Sequence, residues 1–226
     1  MANRGALKRM MSEVPMLREE KPEYAVFFEK DNIMSFNAYI TAPDDSVYRH
    51  KLLKVHINIP DDYPDVNPEV KFFSFGEARI HPNFYLTGGI CLDLLGTTKG
   101  RQWSPDFNVH ALLMSIRYHL DNDPWKHEML SKWQPESRYR VYVRYVTWEA
   151  MLLNYFFSEE FVPAQLYIAK FIRERAARMM EDFFLERTIN KRVIYLDNDL
   201  YQCEVEVDYE TLLLNLRTAI QYSIDV

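Results

Sequence analysis

The spacing of apolar residues changes twice along the chain, first from a helical to a strand period and later back again. Residues 4–20 place apolar side chains at helical spacing, which predicts an amphipathic helix that ends before Pro22. Residues 35–41 and 54–59 then alternate apolar and polar side chains, as half-buried strands do. Residues 69–75 predict a further strand, and the short turns between these strands indicate an antiparallel meander.

The second change of period predicts a core helix over residues 107–120. The apolar residues on its inner stripe are Val109, Leu112, Leu113, Ile116 and Leu120. After residue 135 helical spacing predominates to the end of the chain. We therefore predict an α+β fold, in which residues 1–150 form a core domain and residues 151–226 form a C-terminal helical extension.

A long irregular segment, residues 79–105, connects the last predicted strand to the core helix. Its apolar residues can tether it, so it is predicted to be an ordered functional loop. It contains Cys91, which follows two glycines that would allow a substrate chain to approach closely. Free cysteine is often simply buried, but a thiolate is also the nucleophile of acyl transfer. Cys91 is therefore either a small core residue or a nucleophile on this loop.

Composition narrows the classes of function. The formal net charge of −6 gives no support to a nucleic-acid-binding protein, and no apolar run approaches the roughly 20 residues that span a membrane. The chain has 2 cysteines, Cys91 and Cys203, too far apart in sequence to form a disulfide framework. A reducing compartment, cytoplasmic or nuclear, is predicted, with both residues as free thiols.

The segment HPNFYLTGGICLDLL resembles the active-site segment of ubiquitin-conjugating enzymes, with a His-Pro-Asn triplet and a cysteine eight residues after its asparagine. ALKRM, APDDSVY, NIPDDYPDVNPEVKF, WSP and DNDP follow the order of that family, so the resemblance covers about residues 4–130. It implies the fold of the ubiquitin-conjugating (UBC) core: an N-terminal helix, a four-stranded antiparallel sheet and a core helix after the active-site loop. The helices beyond residue 150 would be additions to that core.

The resemblance also implies a chemistry for Cys91. This cysteine would accept ubiquitin, or a ubiquitin-like modifier, from an activating enzyme as a thioester. It would then pass the modifier to a lysine of a protein substrate or to a cysteine of a ubiquitin ligase. The thioester preserves the activation of the acyl group, so no cofactor or metal is expected at this site.

Roles for the neighbouring residues follow from the same resemblance. Asn83 would stabilise the oxyanion or brace the loop, and an amide donor suits developing negative charge. His81 would mainly hold the loop in place, with a direct proton role as the alternative. Tyr85 is interpreted as shaping the loop.

An attacking lysine also needs a carboxylate or a similar group to orient it. The family often places an acid shortly beyond the Asp-Pro pair, and here His127 and Glu128 occupy that region. Asp123 is interpreted as a helix-end or turn residue.

Some segments depart from the small members of the family. The insert Gly96 to Arg101 and the tyrosine-rich segment after residue 135 resemble the large group that includes the apollon type, although Thr98 replaces the usual loop tryptophan. The insert is expected to reshape the groove beside Cys91.

Four residues are predicted to contact partner proteins. Lys8 and Arg9 lie where the family meets both the activating enzyme and the ligase, and Pro105 keeps its place in a second contact loop. Asp65 stands where members that bind RING ligases often present an aromatic residue. A charge at that position predicts a changed preference among ligases.

Two other functions compete with the enzyme. One is a catalytically inactive UBC-like adaptor that only docks ubiquitin or another enzyme, and the other is a hydrolase that uses Cys91 with His81. The presence of Cys91 together with Asn83 argues against the adaptor, and the position of His81 in a proline-locked triplet argues against the hydrolase.

Overall fold

The computed structural model describes residues 4–28, 32–73, 78–97, 102–128, 136–158, 162–189, 194–198 and 201–225. The first part of the chain contains α1 (Arg4–Arg18), β1 (Tyr24–Phe28), β2 (Ser35–Thr41), β3 (Leu52–Asn58), β4 (Glu69–Phe72), a 3-10 turn (Asp93–Leu95), α2 (Val109–His119) and a second 3-10 turn (Pro124–His127). The second part contains α3 (Glu136–Trp148), a π-helical turn (Glu149–Leu153), α4 (Asn154–Phe157), α5 (Val162–Ile189), β5 (Ile194–Asn198), β6 (Tyr201–Val205) and α6 (Tyr209–Asp225).

The four strands of the larger sheet are hydrogen-bonded in the order β1-β2-β3-β4, and every pair is antiparallel. The predicted meander is therefore confirmed. The last strand is described as far as Phe72, and residues 74–75 of the predicted segment lie outside the described residues. The N-terminal helix and the core helix are also present, as α1 and α2.

Both faces of this sheet are buried. On one face, Ala38 of β2 and Val55 of β3 are paired and belong to the core that also contains Ile116 of α2. On the opposite face, Tyr39 and Leu52 are completely buried against a second apolar cluster supplied by the C-terminal helices. The alternating pattern indicated one buried face, and the extension covers the other.

The extension is continuous with the core. α3, the π-helical turn and α4 follow one another without a break, so one helix runs through residue 150, the predicted domain boundary. Near its start the Tyr139 hydroxyl donates to the Arg79 carbonyl at 2.9 Å, at the beginning of the predicted active-site loop, residues 79–105. None of the helices in the described part of the chain is both long and apolar enough to cross a membrane.

The extension is not entirely helical. Strands β5 and β6 pair antiparallel between α5 and α6, with Leu196 opposite Cys203. The prediction of additional C-terminal helices is confirmed by α5 and α6, whereas this hairpin was not anticipated.

A charged cluster joins the turn before β3 to α5. Arg49 donates from Nη2 to Asp182 Oδ1 at 2.6 Å, and its Nε lies 2.6 Å from Asp182 Oδ2. His50 Nε2 lies 2.9 Å from the same Oδ2. His50 has a φ of 66°, a left-handed backbone that residues other than glycine adopt rarely, and its contact with Asp182 contributes to holding it there.

Beside this cluster the ammonium group of Lys51 is fully enclosed. Its Nζ lies 3.8 Å from the centre of the Trp148 ring, and the indole Nε1 donates to Glu186 Oε2 at 2.9 Å. Burial lowers the pKa of Lys51 to about 8, while the carboxylates of Glu186 and Asp182 oppose that shift. The contact between the core and the extension is therefore both polar and buried.

An Asp182→Asn substitution tests how much this contact stabilises the fold. We expect the free energy of unfolding to fall by about 2 kcal/mol, because two charge-assisted hydrogen bonds from Arg49 and one from His50 are weakened. Urea unfolding monitored by tryptophan fluorescence measures the change. Glu181→Gln, at the exposed neighbouring position of α5, is the matched control. Equal midpoints for the two variants would show that the cluster adds little.

Candidate active site

The active-site loop brings Asn83 and Cys91 together through the main chain. The Cys91 N–H donates to the Asn83 carbonyl at 2.7 Å, although eight residues separate them in sequence. A bridge between Phe84 and Ile90 closes the same turn, and both of these side chains are buried. The apolar residues therefore anchor the loop as predicted, and Cys91 and Asn83 lie on its partly exposed rim.

Gly88 attaches this loop to the sheet. The Phe72 N–H of β4 donates to the Gly88 carbonyl at 2.9 Å, and Gly88 has a φ of 86°. A Cβ at this position would lie 3.0 Å from the Phe72 carbonyl oxygen. Any other residue would combine a strained backbone with a close contact, so glycine fixes how the loop lies against β4.

Cys91 is a free, partly exposed thiol. Its Sγ lies 3.6 Å from the Thr97 carbonyl oxygen. The Thr97 hydroxyl accepts from the Leu92 N–H at 2.8 Å and donates to the Leu92 carbonyl at 3.0 Å, which closes the turn after Cys91. Only Gly96 and Thr97 of the predicted insert can be placed, because residues 98–101 lie outside the described residues.

Tyr85 is closer to the chemistry than the sequence indicated. Its pKa is raised from 10, first by a hydrogen bond with the Cys91 thiol and then by burial, with a smaller contribution from the charge of Glu128. The Arg79 guanidinium lies 5.1 Å from the Tyr85 ring centre and donates to the Pro82 carbonyl at 2.7 Å. The sequence pattern did not indicate this influence of Cys91 on Tyr85, because a loop tyrosine has no period to reveal where its hydroxyl lies.

His81 is completely buried, and its Nδ1 accepts the backbone N–H of Asn83 at 3.0 Å. Burial lowers its pKa well below 6.5, and His127 and His119 lower it further. The ring is therefore neutral and committed to the loop backbone. This geometry favours the predicted holding role over a proton-transfer role, and it does not favour a Cys-His hydrolase.

His127 and Glu128, which follow the Asp-Pro pair, lie in two different environments. His127 Nε2 lies 2.9 Å from Asp121 Oδ2, and Lys126 Nζ lies 2.6 Å from the same oxygen, so His127 is engaged by Asp121. Glu128 is half-buried, and its charge acts on Tyr85 beside Cys91.

Asp123 is the N-cap of the 3-10 turn Pro124–His127, which confirms its interpretation as a helix-end residue. Its Oδ1 is nevertheless buried and has no hydrogen-bond partner among the described residues. Unpaired buried carboxylate oxygens are uncommon, and the spacing of residues in the sequence did not indicate this feature of Asp123.

The residues predicted to contact partner proteins differ in their exposure and in the contacts they make within the chain. Lys8 of α1, Asp65 and Pro105 are exposed. Arg9 is partly occupied within the chain, because its Nε donates to Glu13 Oε1 at 2.6 Å and its Nη2 donates to the Phe107 carbonyl at 2.7 Å.

The carboxylate of Glu13 joins several elements beside Arg9. Although only 5% exposed, it accepts the Tyr63 hydroxyl at 2.6 Å and the Val109 N–H, at the start of α2, at 2.9 Å. Arg9 therefore neutralises a buried carboxylate that connects α1 to α2. In the part of the chain that the structure describes, no group of three or more His, Cys, Asp or Glu side chains could hold a metal ion.

Comparison with known proteins gives one consistent result. Residues 9–147 match the family model described as ubiquitin-conjugating enzyme. Ubiquitin-conjugating enzyme E2 2 of Candida glabrata is 35% identical over 120 residues, which cover 53% of this chain and 67% of that protein. The proteins of the same name from Saccharomyces cerevisiae and Neurospora crassa are each 34% identical over 120 residues, or 53% of this chain and 65% and 74% of theirs.

Proposed function

The chain belongs to the ubiquitin-conjugating enzyme family of acyl transferases, and from this we propose that Cys91 carries ubiquitin or a ubiquitin-like modifier as a thioester. The observation that carries the proposal is the partly exposed thiol of Cys91. The backbone N–H of the same residue is bound to the Asn83 carbonyl, in a loop that buried residues anchor. Its partners would be the modifier, an activating enzyme, a ligase and a protein substrate.

In the charging step, the Cys91 sulfur attacks the thioester carbonyl that joins the modifier to the activating enzyme. A bond forms between this sulfur and the carbonyl carbon, and the thiol of the activating enzyme leaves. The proton of Cys91 is lost to solvent or to the departing thiolate. No redox change occurs, and the new thioester retains the energy needed for the next transfer.

In the discharge step, a neutral lysine amine attacks the same carbonyl carbon, and negative charge develops on the carbonyl oxygen. Collapse of this intermediate breaks the C–S bond, so Cys91 leaves as a thiolate and the modifier is joined to the lysine by an amide bond. The side-chain amide of Asn83 is half-buried and has no hydrogen-bond partner within the described residues, so it can donate to an approaching oxyanion. The backbone of Asn83 is held separately by His81 and Cys91. These bonds hold the Asn83 backbone, and so the attachment point of its side chain, in place. Electrostatic stabilisation of a transition state requires donors that are positioned in advance.

The amine must also lose a proton, and a carboxylate near the site would accept it or orient the ammonium group. Asp123, with its unpaired oxygen, and Glu128, whose charge reaches Tyr85, are the two candidates. One oxygen of Asp123 has no hydrogen-bond partner among the described residues, so we assign Asp123 the larger role.

Asp123→Asn is expected to slow discharge to free lysine about tenfold, and Glu128→Gln about threefold, with charging close to wild type in both. Single-turnover decay of the purified thioester at several lysine concentrations measures the rates. Glu69→Gln, an exposed position on β4, controls for a general loss of negative charge. Unchanged decay in both variants would remove the carboxylates from the mechanism.

The function itself is tested by incubating the protein with an activating enzyme, ATP and ubiquitin, and then separating the products with and without a thiol reductant. An adduct that the reductant removes is the expected result. The same assay with ubiquitin-like modifiers identifies the one that is accepted. Absence of an adduct with every modifier and its own activating enzyme would overturn the proposal and favour the adaptor.

A further inference from the structure

The rings of three histidines from different parts of the chain form a cluster at the start of the active-site loop. The ring centres of His81 and His127 are 5.0 Å apart, and those of His127 and His119 are 4.9 Å apart. His81 and His119 approach edge to face at 6.3 Å. The three ring centres therefore form a triangle in which every ring contacts the other two, and the catalytic chemistry proposed above leaves His119 without a role.

One hydrogen bond orients each ring. His81 Nδ1 accepts the Asn83 N–H, so its single proton resides on Nε2. His119 Nδ1 donates to the Ser115 carbonyl at 2.9 Å, and His127 Nε2 is directed at Asp121. These hydrogen bonds therefore order the three rings of the cluster, which come from α2, the 3-10 turn and the loop that carries Cys91.

A proton on His81 Nδ1 would break this order, because a protonated Nδ1 is a donor and would face the N–H of Asn83. Burial is the main cause that lowers the pKa values of both His81 and His119. The His127 side chain is itself only 15% exposed, and its ring packs against the completely buried His81 ring. The rings of His119 and His127 thus cover part of His81, and the rings of Phe84 and Tyr48 contact it as well.

We propose that His119 and His127 are positioning residues that shield His81 from water and so keep its Nδ1 available to hold the Asn83 backbone. The inference rests on the proposed roles of Cys91 and Asn83. It adds residues whose aromatic rings, rather than their acid-base chemistry, support the transfer reaction.

The shield also makes the loop sensitive to acid. Other titratable groups lie around the histidine cluster on the surrounding elements, namely Arg79, Asp93, Asp121 and Lys126. Tyr48 also contacts the His81 ring. Because the pKa values of His81 and His119 are lower in the folded protein than the ordinary 6.5, the unfolded chain binds more protons as the pH falls through that value. The contribution of these two residues to stability is complete above about pH 6.5 and declines below it.

The experiment follows the His81 ring directly by ¹⁵N-resolved NMR of the imidazole nitrogens from about pH 7.5 to about pH 5.5. In the wild type we expect the Nε2–H form throughout. In His119→Ala we expect His81 to begin to titrate within this range, and in His119→Phe, which keeps a ring, we expect it to remain neutral. Titration of His81 near 6.5 in the wild type would overturn the proposal without any variant.

Activity provides the second readout. At about pH 6 we expect His119→Ala to discharge its thioester about tenfold more slowly than wild type, with His119→Phe restoring the rate, because a displaced loop misplaces Asn83. Equal His81 spectra and equal rates in the two variants would contradict the proposal. The NMR experiment uses the free protein, so it decides this inference even if no modifier is ever transferred to Cys91.

Discussion

Cys91→Ala is expected to abolish the adduct completely, and Cys91→Ser is expected to replace it with one that a thiol reductant does not remove. Alanine has no nucleophile, whereas serine forms an oxygen ester, which thiols cleave far more slowly than a thioester. The serine variant should also charge more slowly, because a hydroxyl is a weaker nucleophile than a thiol at neutral pH. Gel separation with and without reductant, followed over time, distinguishes the three proteins.

The second cysteine supplies the matched control. Cys203 lies in β6 of the extension, and Cys203→Ser should charge as the wild type does and give an adduct that reductant removes. A reductant-sensitive adduct in Cys91→Ala that disappears in Cys203→Ser would transfer the role to Cys203. That outcome would contradict the assignment of the nucleophile without excluding the family's activity.

Asn83→Ser is expected to charge nearly as the wild type does but to discharge to lysine about 100-fold more slowly, which corresponds to about 3 kcal/mol of lost oxyanion stabilisation. The separation of the two steps follows from the structure. Asn83 contributes its backbone carbonyl to Cys91 and its backbone N–H to His81, and both bonds survive a change of side chain. The loop should therefore keep its shape while the amide donor is lost.

Asn83→Asp separates donation from shape. Aspartate has nearly the size of asparagine but no N–H donor, and its negative charge would repel an oxyanion. Its discharge should be at least as slow as that of Asn83→Ser. Single-turnover decay of the thioester gives both rates, and normal discharge by Asn83→Ser would remove the oxyanion role from this residue.

Patterns of local period predicted most elements of the core, although no pattern predicted β1 (Tyr24–Phe28). The stripe of α2 and the alternation in β2 and β3 depend on neighbouring residues, so a sequence window contains the signal. The burial of Tyr39 on the second face could not be predicted in this way, because its cover comes from residues more than 100 positions later. The β5–β6 hairpin was missed because its strands are short and lie between two long helical stripes.

The same distinction between neighbouring and distant residues applies to the candidate site. Cys91, Asn83 and His81 lie within one recognisable segment, and the structure brings them together. The histidine cluster instead joins residues 81, 119 and 127, which no single segment contains. The expectation that His127 orients the substrate lysine could not take account of Asp121, which engages it. The unpaired oxygen of Asp123 is likewise a property of packing and not of spacing.

The uninterrupted helix from Glu136 to Phe157 makes two distant contacts, one from Tyr139 to the active-site loop and one from Trp148 to α5. An α-helix turns by about 100° per residue, so inserting or deleting one residue between these two contacts would rotate one away from its partner. The number of residues between them is thus as constrained as their identity. Through this helix, the rotation of the extension about the helix axis depends on the position of the loop that carries Cys91.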